Sequence, residues 1–358
     1  MLNRFFDALV LHCMKQLNGE RSIYAIYHLL KGKKSSQTIQ DSHLFNMTDL
    51  FGSYLTLNRE TLEQSVLHLQ QASLIEPVTK ENQYILTSAG EVEMYRFFSE
   101  HPYPIHLQGW NYINAAPVFW GRLNLMIQSL SNIINRENRF YPIERNGLVQ
   151  DWVRRYLIAY KGSRTELSGL FFSELAELLD NLDPRQSSIF VRRLSGYNRA
   201  GKTYEQIAKE FMLDILYVRY LFQDTIHFIL SESSANSRRY PYLCSLASNL
   251  DTSGGSLTVS AKATMEFLKQ GMNLEQIAKM RNLKVSTIED HLVEIVLADK
   301  EFPIDDYVSE SISLEIEQTS KMLNTKKLKA IKEELSGYNV SFFQIRLVLA
   351  KAGDSNES

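Results

Sequence analysis

Positive charge set at helical intervals, rather than a nucleophile or a ligand set, is the chemistry this sequence offers. Between residues 184 and 230, Arg185, Arg192, Arg193, Arg199, Lys202, Lys209 and Arg219 outnumber Glu205, Glu210, Asp214 and Asp224, seven against four. Cations clustered in this way neutralise phosphates. Tyr217, Arg219 and Tyr220 follow Asp214 closely enough to share one helix and are candidate groove or backbone contacts, with Arg192, Arg193, Arg199 and Lys202 beside them. A second candidate set is Arg281, Lys284, Ser286, Thr287 and His291. Its surroundings are electrically balanced. Over 257–300 six cations meet six acids, and Glu289, Asp290 and Glu294 lie on the reading helix itself. For the first set the competing reading is a solvated basic face; for the second it is a small helical bundle that only packs or binds protein.

Other chemistry is not in view. There is no glycine loop ending in Lys-Ser/Thr and no Gly-x-Gly-x-x-Gly, so nucleoside triphosphate hydrolysis is not expected. No carboxylate pair or Ser/Cys/His set stands in a nucleophilic frame, and the eight histidines are scattered singly. The expectation is a protein that is not an enzyme and uses no cofactor. His101 and His106 have no carboxylate or cysteine alongside, and Cys13 and Cys244 have neither disulfide nor zinc spacing. No metal site is expected, and a reducing compartment fits two isolated cysteines. The formal charge of −2 provides no global basic excess, so any nucleic-acid contact must be local. Asp7 interrupts the apolar run of the amphipathic N-terminus, which does not read as a signal peptide. No apolar run is long enough to span a membrane. The expected location is cytoplasmic, on the nucleoid if DNA is bound.

These residues need helices to hold them. The pattern predicts a mainly α fold of several helix-turn-helix or winged-helix units with one small β-hairpin. Residues 1–100 read as an N-terminal helix and a winged-helix-like domain. In it Ser22 and Asn58 are helix caps, and Leu74–Val78 and Gln83–Thr87 are β-prone runs around Lys80-Glu81-Asn82. Residues 101–165 read as a helical connector. Residues 166–250 hold a helix-turn-helix in which Asp183-Pro184, Thr203 and Asp214 start successive helices. Residues 251–256, with Ser253-Gly254-Gly255-Ser256, read as a flexible linker. Residues 257–352 read as a C-terminal helix-turn-helix domain. Ser286 is expected to cap its reading helix, Thr287–Ala298, and Ser341 its last one. Residues 353–358 read as a disordered tail.

Two resemblances sit on these segments. The run LDPRQSSIFVRRLSGYNRAGKTYEQIAKEFMLDILYVRYLFQDTIHFIL resembles the promoter-reading C-terminal region of sigma factors. The run GMNLEQIAKMRNLKVSTIEDHLVEIV resembles the helix-turn-helix domain attached to the C-terminus of many RecQ-like helicases. That agreement continues through Ile304-Asp305, Ile312–Ile316, Leu328-Lys329-Ala330-Ile331 and Phe343–Leu349. A stand-alone chain ending in this domain resembles the YpbB family of Gram-positive bacteria, whose gene commonly neighbours a RecQ-like helicase. The resemblance implies an accessory subunit that binds DNA, duplex or branched, and a RecQ-like helicase in repair or recombination. A sequence-specific transcription regulator and a protein-only scaffold are the competing readings.

Overall fold

The computed structural model describes residues 4–78, 80–137, 139–250 and 257–352. The chain is mainly helical and folds into two compact units. One unit is drawn from Asp7–Ser99 and the described part of Gly254–Ser358, the other from Glu100–Ser253 with Phe5 and Phe6.

The first unit begins with α1 (Phe5–Leu17), α2 (Ile23–Leu30), α3 (Ser36–Leu44) and α4 (Arg59–Gln71). A hairpin of β1 (Ile75–Pro77) and β2 (Tyr84–Leu86) follows, antiparallel with Ile75 opposite Leu86, and then α5 (Ser88–Glu100). Three helices followed by a hairpin is the winged-helix order. Asn58 caps α4 as expected, its side chain accepting from the Thr61 amide. Ser22 sits at the start of α2 with extended backbone, but its side chain makes no cap bond. Asp7 lies buried between α1 and α4, where Ser65 donates to one oxygen at 2.5 Å and His68 Nδ1 is 2.9 Å from the other. Gly90 is the one residue that fits the start of α5, because a Cβ there would lie 2.0 Å from the Leu74 carbonyl oxygen.

The middle unit contains α6 (Gly109–Tyr112), α7 (Ala115–Ile134), α8 (Gly147–Ala159), α9 (Arg164–Leu179) and α10 (Pro184–Arg193). It continues with α11 (Tyr204–Phe211), α12 (Ile215–Ala235) and α13 (Pro241–Leu246). The predicted caps Asp183, Thr203 and Asp214 all accept backbone amides of their own helices. The segments read as a connector and a separate domain share this unit: α7 packs on α8, α9, α12 and α13. Trp120 of α7 stacks edge-on against Phe222 of α12 at 4.8 Å. Short α13 is held at both ends. Glu174 accepts the Tyr242 and Leu243 amides, and Arg122 Nη1 donates to the Leu246 and Ser248 carbonyls.

The first unit resumes with α14 (Val259–Lys269), α15 (Leu274–Arg281), α16 (Val285–Ala298), α17 (Glu310–Met322), α18 (Leu328–Glu334) and α19 (Phe342–Ala352). The sequence places a separate domain at 257–352. In the structure α16 and α19 pack against α3, so this region shares one unit with residues 7–99. Polar side chains seal that packing. Arg346 donates from Nε to Gln40 of α3 at 2.8 Å and from Nη1 to Asp290 of α16 at 2.5 Å. Ser341 caps α19 as expected, accepting the Gln344 amide at 3.1 Å. The linker at 251–256 and the tail at 353–358 lie outside the described residues.

Candidate nucleic-acid interface

Residues 203–218 and 273–288 are two versions of one helix-turn-helix. Glu-Gln-Ile-Ala-Lys occurs at 205–209 and again at 275–279. The spacing was readable in the sequence, and the structure gives it a cause. Each copy opens on a capping box, Thr203 with Gln206 and Asn273 with Gln276, which satisfies amides at the first turn. Each buries its Ile-Ala pair, Ile207-Ala208 and Ile277-Ala278, against the following helix. Each ends in a left-handed residue, Met212 at φ 55° and Asn282 at φ 50°. The next amide, Leu213 or Leu283, then reaches back to the alanine carbonyl at 2.9 Å. In the second copy Ile277, Ala278 and Ile288 form the centre, with Phe267, Leu268, Met272 and Leu274 around them.

The second helices leave far less surface than the sequence suggested. From His291 to Leu297 every residue of α16 is buried. The groove-entering helix expected at Thr287–Ala298 is therefore reduced to its first turn. That helix also starts earlier than expected. Lys284 holds the N-cap position with ψ 147°, so Ser286 is inside the helix and caps nothing. The cause is the turn: once Asn282 is left-handed, only Leu283 and Lys284 separate the helices.

His291 is corrected from groove contact to core. It is 8% exposed, and its Nδ1 lies 2.8 Å from the Thr264 hydroxyl. Burial first, and Arg281 second, hold it below the ordinary imidazole range. Arg281 is an internal tie as well. Its Nη1 donates to the Ser260 carbonyl at 2.8 Å and to the Thr264 hydroxyl, and its Nη2 donates to Ser260 Oγ at 3.0 Å. The three acids on α16 that argued against DNA divide differently. Glu294 accepts the Thr258 amide and hydroxyl, and Asp290 is held by Arg346. Both face protein rather than phosphate. Glu289 is half-buried, and burial raises its carboxyl above the usual range. Lys284 and Ser286 remain exposed and Thr287 half-buried.

In the first copy Tyr217 and Tyr220 are also corrected to core, at 2% and 0% exposure. Phe5 packs on both rings, at 5.1 and 5.0 Å, and the Tyr217 hydroxyl donates to the Pro102 carbonyl at 2.9 Å. The strap around 101–108 that covers α12 is pinned twice more. Asp224 accepts the His106 amide at 2.6 Å, and His227 Nδ1 accepts the Gln108 amide at 2.9 Å. Burial drives His227 down to about 3, so its imidazole stays neutral.

The basic cluster is partly spent on structure. Glu210 binds Arg192 Nε at 2.7 Å and Lys202 Nζ at 2.6 Å, and these contacts hold its carboxyl below the usual range. Arg193 donates to the Lys202 carbonyl at 2.7 Å and stacks over Tyr204 at 4.2 Å, with Arg219 over the same ring at 5.1 Å. Gly201 sits so close to Arg193 that a Cβ would lie 2.0 Å from its carbonyl oxygen, which fixes the loop carrying Arg199 and Lys202. Arg199, Lys202 and Arg219 are exposed. Of the candidate residues, those open to a polyanion are therefore these three in the first copy, and Lys284 with Ser286 in the second. Among the described residues no three His, Cys, Asp or Glu side chains are grouped to hold a metal, and no helix is long and apolar enough to cross a membrane.

Comparisons with known proteins agree with this geometry. Residues 260–349 match a helix-turn-helix domain family, a fold whose usual work suggests DNA binding. No solved structure matches the chain. Protein YpbB of Bacillus subtilis (strain 168) is 35% identical over 347 residues, a span covering 97% of this chain and 97% of its own length. Identity of that extent, across both units, makes this chain a member of the YpbB family.

Proposed function

We propose that this protein is a non-catalytic adaptor that holds duplex or branched DNA for a RecQ-like helicase in repair or recombination. Its place of work is the cytoplasm, on the nucleoid. The observation that carries the DNA part is the free edge of the helix-turn-helix domain. Lys284 and Ser286 stand exposed at the start of α16, where this motif meets base edges and backbone, while the rest of the helix is locked in protein. An edge this small binds mainly phosphates, so affinity is modest and falls steeply with salt. The helicase part rests on the likeness of 271–296 to helicase-attached domains, on a chain with no phosphate-cradling loop. The winged unit near the N-terminus is the proposed grip on the helicase.

The test is co-purification with a RecQ-like helicase from the same organism, beside a mobility shift of a labelled fork and duplex at two salt concentrations. Lys284→Glu is expected to weaken DNA binding about tenfold, since it replaces one phosphate contact by repulsion. No salt-sensitive shift together with no co-purification overturns the proposal. One observation favours a protein-only scaffold, namely how little of α16 is open, since every residue from His291 to Leu297 is buried. Co-purification with no DNA shift at low salt selects that reading.

A further inference from the structure

Both copies of the motif expose aliphatic side chains on the edge that would face a groove. Ile215 and Val285 occupy the same position, the first residue of the second helix, and are 44% and 39% exposed. Met212 stands in the first turn, 91% exposed, and Met280 and Leu283 are exposed beside the second. Single exposed aliphatics are ordinary on protein surfaces. Here the same kind of residue recurs at the same place in two copies that differ at the positions around it, Asp214 against Lys284, Leu216 against Ser286 and Arg219 against Glu289. Exposed cations flank it each time, Lys209 and Arg219 in one copy and Lys279 and Lys284 in the other. An apolar point within a cationic rim fits a polyanion that presents methyl groups. In the major groove of duplex DNA the C5 methyl of thymine is that group.

We propose that Ile215 and Val285 contact thymine methyl groups, so that each copy favours T-containing steps of duplex DNA. This rests on the DNA-holding reading above and supplies the sequence preference that phosphate contacts lack. Arg219 and Lys284 position the edge on the backbone, and the β-branched side chain meets the methyl.

The experiment compares binding of the full-length protein to matched duplexes with thymidine or deoxyuridine at the same positions, which differ only in the methyl. The expected result is about fourfold weaker binding for each contacted methyl removed, the factor that burying one methyl group supplies. Ile215→Ser and Val285→Ser should each shrink the difference between the two duplexes, and the double variant should abolish it. Unchanged thermal unfolding of these surface variants separates lost contact from lost fold. Equal binding of the two duplexes, or a difference that survives the double variant, overturns this proposal and leaves the DNA-holding reading standing. No binding to either duplex overturns both.

Discussion

The two helix-turn-helix copies share a frame and differ at most positions around it. Capping box, Ile-Ala pair and left-handed turn are common to 203–218 and 273–288. Where one copy has Phe211 and Leu221, the other has Arg281 and His291, so an apolar node has become a hydrogen-bonded one. Where one exposes Arg219, the other carries Glu289. Where one puts Asn282 in the left-handed turn, the other forces Met212 into it. The difference teaches that this turn is specified by very few residues. Everything else is free to be tuned for what each copy touches.

The largest effect should come from the shared frame. Ile207→Ala and Ile277→Ala each remove a fully buried side chain and should each cost about 2–5 kcal/mol by chemical denaturation of the full-length protein. A copy that tolerates the change would not be held by this frame. Next comes the node. Arg281→Met removes the bonds to the Ser260 carbonyl and the Thr264 hydroxyl, at about 2 kcal/mol, whereas Phe211→Met should cost less than about 1.5 kcal/mol. Equal losses would show that the two nodes are not different in kind. At the turn, Met212→Asn should stabilise by about 1 kcal/mol and Asn282→Met should destabilise by about the same, because asparagine tolerates the left-handed region and methionine does not. Reversal of either sign would break the equivalence.

The smallest effect concerns pH. His291 is held below the ordinary imidazole value, so the folded protein resists a proton that the unfolded chain accepts. Its stabilising contribution is complete above about pH 6.5, begins to fall below that value, and is lost as pH falls through the lower value of the folded state. His291→Leu, which copies Leu221, should flatten the fall in melting temperature between pH 7 and pH 5. The slope that remains comes from other buried histidines, among them His12 and His43 of the same unit, both pressed to about 4 by burial.

Much of the fold was legible because it is written in local chemistry. Asn58, Asp183, Thr203, Asp214 and Ser341 each announce a helix with a side chain that bonds the first turn. The hairpin was legible from β-prone runs around a polar turn. The site was legible only in part. Tyr217, Tyr220 and His291 look like surface candidates until Phe5, the 101–108 strap and Thr264 close over them, and no periodicity reports contacts between residues so far apart in sequence. Charge was misleading for the same reason. Arg281 and Asp290 read as surface groups, yet each is committed to a partner on another helix.

Packing of α3 against α16 and α19 has a consequence for biosynthesis. On the ribosome, α3 emerges roughly 240 residues ahead of α16 and roughly 300 ahead of α19, about ten to sixty seconds at bacterial elongation rates. Through that interval the outer face of α3 has no mate. The nascent chain must keep it from strangers until α16 and α19 emerge, and a product cut short before α14 would be one that chaperones and proteases recognise as unfinished.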